Sequence, residues 1–122
     1  MVDVICDTNF LIHLATRRIK NIDNLDVEIG RINFVVPEVV RNELSELMKN
    51  PTKRNDVQST LDYIEKFKVI PIFGTFADKE LLDYVSKNNA IVATMDKELK
   101  KQIKQYGSSI MSFSGNRIVL ES

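Results

Sequence analysis

Four carboxylates stand where solubility alone would not put them. Asp7 directly follows the apolar run Val2 to Cys6, and Asp96 directly follows the apolar segment AIVATM. In an open parallel sheet the carboxyl ends of the strands lie along one edge, where ligands bind, so these two acids are expected on a common rim. Either could equally serve as the N-cap of the helix that follows it, a position that favours Asp. Glu43 and Asp78 are expected on helices. At about 100° per residue, Val39, Val40, Leu44, Leu47 and Met48 define an apolar arc that contains Glu43 and leaves Glu46 outside. The same construction on ADKELLDYVSKN puts Ala77, Leu81, Leu82 and Val85 on one arc, with Asp78 near its middle and Glu80 and Asp83 facing away. A buried unpaired carboxylate costs several kcal/mol, so both residues require partners or a cation. For Asp78 the helix dipole offers another explanation, and for Glu43 an ion pair does. Four oxygen donors without histidine or cysteine suit Mg²⁺ or Mn²⁺ better than zinc or copper.

Positioning such a pocket requires strands that end together and helices that begin beside them. Val2 to Cys6 reads as a strand covered on both faces, and Phe10, Leu11, Leu14 and Ala15 as a helix ending near Arg17. Ile22 to Gly30 predicts a second helix stopped by Gly30. NFVVP is the second strand, with Pro37 where a helix can begin, and Glu38 to Lys49 is that helix. Leu61, Ile64 and Phe67 continue a helical stripe through residues 52–67. KVIPIF is a third strand, placed at a sheet edge by Pro71. A helix over ADKELLDYVSKN, a fourth strand, the basic helix KELKKQIKQY and a hairpin about Gly115-Asn116 complete the chain. Alternating strands and helices predict an α/β three-layer sandwich, a mostly parallel central sheet with helices on both faces, as a single domain over residues 1–122.

Composition narrows the class further. The chain has 122 residues, 43% of them hydrophobic, and seventeen basic against seventeen acidic side chains. One core of ordinary size is expected, and no global field draws the protein to nucleic acid or membrane. Cys6 is the single cysteine, which excludes a disulfide framework and is expected to be a buried, inert thiol in a reducing cytoplasm. No segment has the length to span a bilayer. His13, between Ile12 and Leu14, is expected to pack rather than to ligate.

With these motifs in place, the sequence resembles the PIN-domain ribonucleases over essentially its whole length. The resemblance rests on DTNFL after the first strand, VPEVVRNEL with Glu43, GTFADKELLDYV with Asp78, and IVATMDKELKKQIK with Asp96. GTFAD, IVATMDKELKK and SIMSFSGNRIVLE are most similar to the rRNA-processing, small-subunit-processome branch; toxin-type PIN ribonucleases are the alternative. The resemblance implies a metal-dependent endoribonuclease that leaves a 5′-phosphate, with Asp7, Glu43, Asp78 and Asp96 as the acidic quartet holding Mg²⁺ or Mn²⁺ and Asn9 and Thr94 orienting it. At Asp78 the sequence departs from the family pattern, which often has two adjacent acids where this chain has Asp78-Lys79. Arg17, Arg18, Lys53, Arg54, Lys97, Lys100, Lys101 and Lys104 are candidate contacts to an RNA backbone. Family habit suggests a homodimer. A non-catalytic PIN-like module binding RNA or protein in ribosome assembly is a rival reading, weakened by the intact quartet. A receiver-like signalling domain is another, weakened because KVIPIF runs into Gly74 instead of an acid.

Overall fold

Strand pleating decides which side chains enter which core. In the computed structural model, which describes residues 2–20, 22 and 31–121, strand β1 (Val2–Cys6) turns Val4 and Cys6 to one face of the sheet and Ile5 to the other. The same alternation divides Val36 from Val35 in β2 (Ile32–Pro37) and Ala93 from Val92 in β4 (Ile91–Ala93). Two apolar layers follow from this period of two. One is completed by α1 (Thr8–Thr16), α2 (Glu38–Leu47) and α3 (Arg54–Tyr63), which contribute Phe10, Leu11, Leu14, Val39, Val40, Leu44 and Val57. The other is completed by α4 (Ala77–Lys87) and α5 (Lys97–Gln105), through Leu81, Val85, Leu99 and Ile103. The expected three-layer sandwich is therefore present.

Among the described residues six strands run in the order β3-β2-β1-β4-β5-β6, with β3 at Lys68–Ile70, β5 at Ile110–Ser114 and β6 at Arg117–Glu121. All pairings are parallel except the final hairpin. Its turn passes through Gly115 at φ +60°, a conformation that glycine adopts without a Cβ penalty. The strand expected over KVIPIF lies at the sheet edge, as predicted, but ends at Ile70, and Pro71 follows it, where no ladder N–H is lost. The strand expected over AIVATM is shorter, since Thr94 to Asp96 turn away to form part of the rim. The helix expected over Ile22 to Gly30 lies, beyond Ile22, outside the described residues. Among the described residues, no helix is long and apolar enough to cross a membrane.

The chain winds from β1 to β2 in one direction and from β4 to β5 in the other, so strand order reverses between β1 and β4. At such a switch point the connections leave on opposite faces and open a crevice at the carboxyl ends of the two central strands. Asp7 and the 94–96 segment occupy that crevice.

Candidate active site

Asp7 is buried at the end of β1, where its own N–H donates to Ala93 O at 2.8 Å and extends the ladder to β4 by one step. Its carboxylate is held at both oxygens. Oδ1 accepts the Thr8 N–H at 2.8 Å, capping α1, and Oδ2 accepts the Thr94 hydroxyl at 2.9 Å. Thr94 is fully buried, and its oxygen in turn accepts the Asp96 N–H at 3.1 Å. One hydroxyl therefore ties the acids of the two central strands together. Asp96 caps α5, with Oδ1 accepting the Glu98 and Leu99 N–H groups at 2.9 and 3.1 Å. Capping leaves acceptor capacity in both residues: each Asp7 oxygen has a second lone-pair direction, and Asp96 caps through Oδ1 alone.

Glu43 arrives from the second turn of α2 and is half-buried, as its place on the apolar arc predicts. Its charge is met by protein donors: Oε1 accepts the Thr8 hydroxyl at 2.8 Å and Oε2 accepts the Ala77 N–H at 3.2 Å. Thr8 is thus the residue that sequence reasoning missed. It gives its N–H to Asp7 and its hydroxyl to Glu43, and the available signal was a small polar side chain directly after Asp7 at the start of the helix.

The expectation for Asp78 is corrected. It is exposed, and its Oδ1 accepts the N–H of Lys79 at 2.9 Å. The buried line of α4 is Ala77, Leu81 and Val85, spaced by four. Asp78 lies one residue off that line in the first turn, where no preceding turn covers it. Glu80, expected to face away, is half-buried, with its carboxyl lying where a Cβ on Gly74 would sit. Glu46 and Asp83 do face solvent, paired with Lys49 and Lys87. Asn9 is exposed on the first turn of α1.

The electrostatics gather negative charge in the crevice. Burial pushes the Asp7 carboxyl above its ordinary value; the Thr8 N–H and the Thr94 hydroxyl pull it back, and the charges of Glu43 and Asp96 push it up again. The repulsion that Glu43 and Asp96 exert on Asp7 is of a kind that a cation would relieve. The donor set is all oxygen, which fits Mg²⁺ or Mn²⁺ chemically. Among the described residues no three acids, histidines or cysteines already converge as a cluster, so the acids would have to draw together around an ion.

The basic candidates divide by the direction of their elements. Lys97 sits in the first turn of α5 beside Asp96, and Lys101 is one turn further; both are exposed and in no ion pair among the described residues. Lys100 and Lys104 are corrected as free phosphate contacts: they hold Glu121 of β6 at 3.2 and 3.3 Å, and Lys100 keeps only 19% of its side-chain exposure. The bond from Lys100 draws the Glu121 carboxyl below its usual range, assisted by Lys104. Arg17 and Arg18 follow the far end of α1, which runs away from the rim, and Lys53 and Arg54 lead into α3 at the far end of α2. His13 packs on Phe113 with ring centroids 4.2 Å apart, and burial lowers its pKa. Cys6 is buried, and desolvation raises its thiol far out of the reactive range. A cavity of about 830 Å³ opens elsewhere on the α4 face, beside Val2, Val35, Ile70 and Tyr84, and none of the four acids lines it.

Comparison with known proteins agrees with this fold. The family model described as a PIN like domain matches residues 4–116. Ribonuclease VapC4 of Methanocaldococcus jannaschii is 31% identical over 121 residues, spanning 91% of this chain and 89% of that protein. Ribonuclease VapC9 of Archaeoglobus fulgidus is 29% identical over 105 residues, spanning 84% and 76%. Among solved structures, the PIN domain endonuclease Utp24 superposes with a TM-score of 0.77 at 29% identity, covering 98% of this chain and 90% of that one. VapBC2 from Rickettsia felis, bound to a promoter DNA fragment, matches with a TM-score of 0.59 at 16% identity over 93% of this chain and 100% of that one, a likeness of fold.

Proposed function

The chain belongs to the PIN-like domain family, and on that premise we propose that it is a metal-dependent endoribonuclease whose centre is the crevice between β1 and β4. The observation that carries this reading is the linkage of Asp7 to Asp96 through the buried Thr94 hydroxyl, at the carboxyl ends of the two strands where the sheet reverses. Glu43 completes the inner set and Asp78 stands at its exposed margin. Mg²⁺ or Mn²⁺ held by these acids would supply a lowered pKa for an attacking water and positive charge against the phosphate.

The protein's own contribution is rigidity and charge placement. Thr8 and Thr94 fix both oxygens of Asp7 and one of Glu43, which limits how far these two acids move as an ion draws the set together. In the reaction, a water oxygen adds to phosphorus, the 3′-oxygen departs and takes up a proton, and the product carries a 5′-phosphate. An rRNA-processing role is supported by GTFAD and IVATMDKELKK and by the likeness to Utp24. The identity to the two VapC ribonucleases favours a toxin-type role as the second reading. A cytoplasmic location and a homodimer belong to the same proposal.

Unpaired RNA incubated with the purified protein should be cut with Mn²⁺ and left whole with EDTA, with cut ends mapping as 5′-phosphates. Asp7→Asn and Asp96→Asn should each slow cutting at least about a hundredfold, since each removes a charge at the reacting centre. Full activity in both variants would remove the site from consideration.

A further inference from the structure

The six phenylalanines fall into two groups. Phe10, Phe34, Phe67 and Phe113 pack in a connected chain of ring contacts inside the molecule, with centroids 4.7 to 6.3 Å apart. Phe73 and Phe76 lie in solvent, 65% and 63% exposed. Both belong to the loop from β3 to α4, which leaves the carboxyl edge of the sheet and therefore runs along the rim that carries the acids. Two contacts fix its course. Ile72 O accepts the Val39 N–H at 2.9 Å at the start of α2, and Ala77 N–H reaches Glu43 at 3.2 Å.

Phe76 breaks two local rules at once. It occupies the N-cap of α4, where Ser, Thr, Asp or Asn would satisfy the first helical N–H groups, and it makes no side-chain capping bond. Capping is instead delegated to Glu43 from another helix. Phe76 neither caps its helix nor packs into the core, and its backbone adjoins the N–H that reaches Glu43. Gly74 bends the loop at φ +149°, with the Glu80 carboxyl filling the space a side chain would take, so the turn between the two rings is closely specified.

Resting on the ribonuclease reading above, we propose that Phe76, with Phe73 beside it, forms a stacking platform for unpaired bases next to the scissile phosphate. The substrate class is then single-stranded RNA, or loops whose bases can splay out. Exposed aromatic rings hold such bases through their π-faces without reading sequence, whereas bases stacked within a duplex present no face to them. Lys79 and Lys97, exposed in the first turns of α4 and α5 and in no ion pair among the described residues, are placed to meet the neighbouring phosphates.

The test measures binding of a fluorescein-labelled, unpaired eight-nucleotide RNA in an Asp96→Asn background that slows cutting, alongside cleavage by the wild type with Mn²⁺. Phe76→Ala and Phe76→Leu should both weaken binding about tenfold, and Phe76→Tyr should retain it. Making one nucleotide abasic in turn should weaken binding at one or two positions in the Phe76 parent and cause no further loss there in Phe76→Ala. The sequence has no tryptophan, so emission from Phe76→Trp reports the site alone and should be quenched by the RNA. Leucine binding as well as phenylalanine, abasic losses that persist in full in Phe76→Ala, or unquenched emission would each overturn the platform. If the wild type cuts RNA while the Phe76 variants bind normally, only the platform falls. A wild type that neither binds nor cuts removes the ribonuclease reading and the platform with it.

Discussion

At the scale of the residue, the site depends on threonines as much as on acids. The Thr94 hydroxyl is both a donor to Asp7 and an acceptor from the Asp96 backbone. Valine has nearly the same shape and can do neither. Thr94→Val should therefore leave the buried Asp7 carboxylate and the part-buried Asp96 N–H each short of a partner, at a cost of about 1 to 3 kcal/mol, and should lower cleavage by about 10- to 100-fold through misplacement of Asp7. Thr94→Ser, which keeps the hydroxyl, should recover most of both. Thermal melts and initial rates on the same preparations check this; equal behaviour of valine and serine would show that the hydroxyl positions nothing. The sequence pointed to Thr94 through family resemblance. Thr8 was passed over, because nothing in a linear pattern shows that its hydroxyl meets Glu43, thirty-five positions away.

At the scale of the element, Glu43 works as a clasp between α2 and the start of α4. Without partners such a carboxylate would be a burden on the fold, and its neutralisation would be stabilising. Its two protein donors change the sign. Glu43→Ala should destabilise the metal-free protein by about 1 to 3 kcal/mol, because it leaves the first N–H of α4 uncapped and the Thr8 hydroxyl without its acceptor. Glu46→Ala, three residues along the same helix and joined only to the exposed Lys49 at 3.0 Å, should change stability by no more than about 0.5 kcal/mol. Chemical denaturation with EDTA present distinguishes the two. Equal effects would mean that the clasp carries no weight. Helical periodicity placed Glu43 and Glu46 on their correct faces and misplaced Asp78, since a first-turn residue has no turn before it to cover it.

At the scale of the whole molecule, the charges balance, seventeen against seventeen, so any attraction for RNA must come from where the basic groups point. Element direction decides that. Lys97→Ala and Lys101→Ala should each reduce the slope of log affinity against log salt by about one, the signature of a lost phosphate contact. Lys100→Ala and Arg17→Ala should leave the slope unchanged, the first because Glu121 already holds that amine and the second because α1 carries the guanidinium away from the rim. Binding isotherms at several salt concentrations provide the check, and a flatter slope in Lys100→Ala would mean that the ion pair opens for RNA.

The sequence by itself determined the layers of this protein and the rim. Pleating with a period of two and helices with a period near 3.6 are local properties, so Val4 against Ile5, or Leu44 against Glu46, could be assigned to faces without knowing what lay opposite. Two acids at the ends of apolar strands were legible for the same reason. Only the tertiary structure decided what each charge meets: that Thr8 and Ala77 satisfy Glu43, that Glu121 claims Lys100 and Lys104, and that Phe73 and Phe76 are left uncovered on the loop from β3 to α4. Hydrogen bonds and ion pairs are short-ranged and directional, and they join residues brought together by the winding of the chain about β1 and β4. Periodicity tells a side chain which way to face; the register of the sheet and the run of the loops choose its partner.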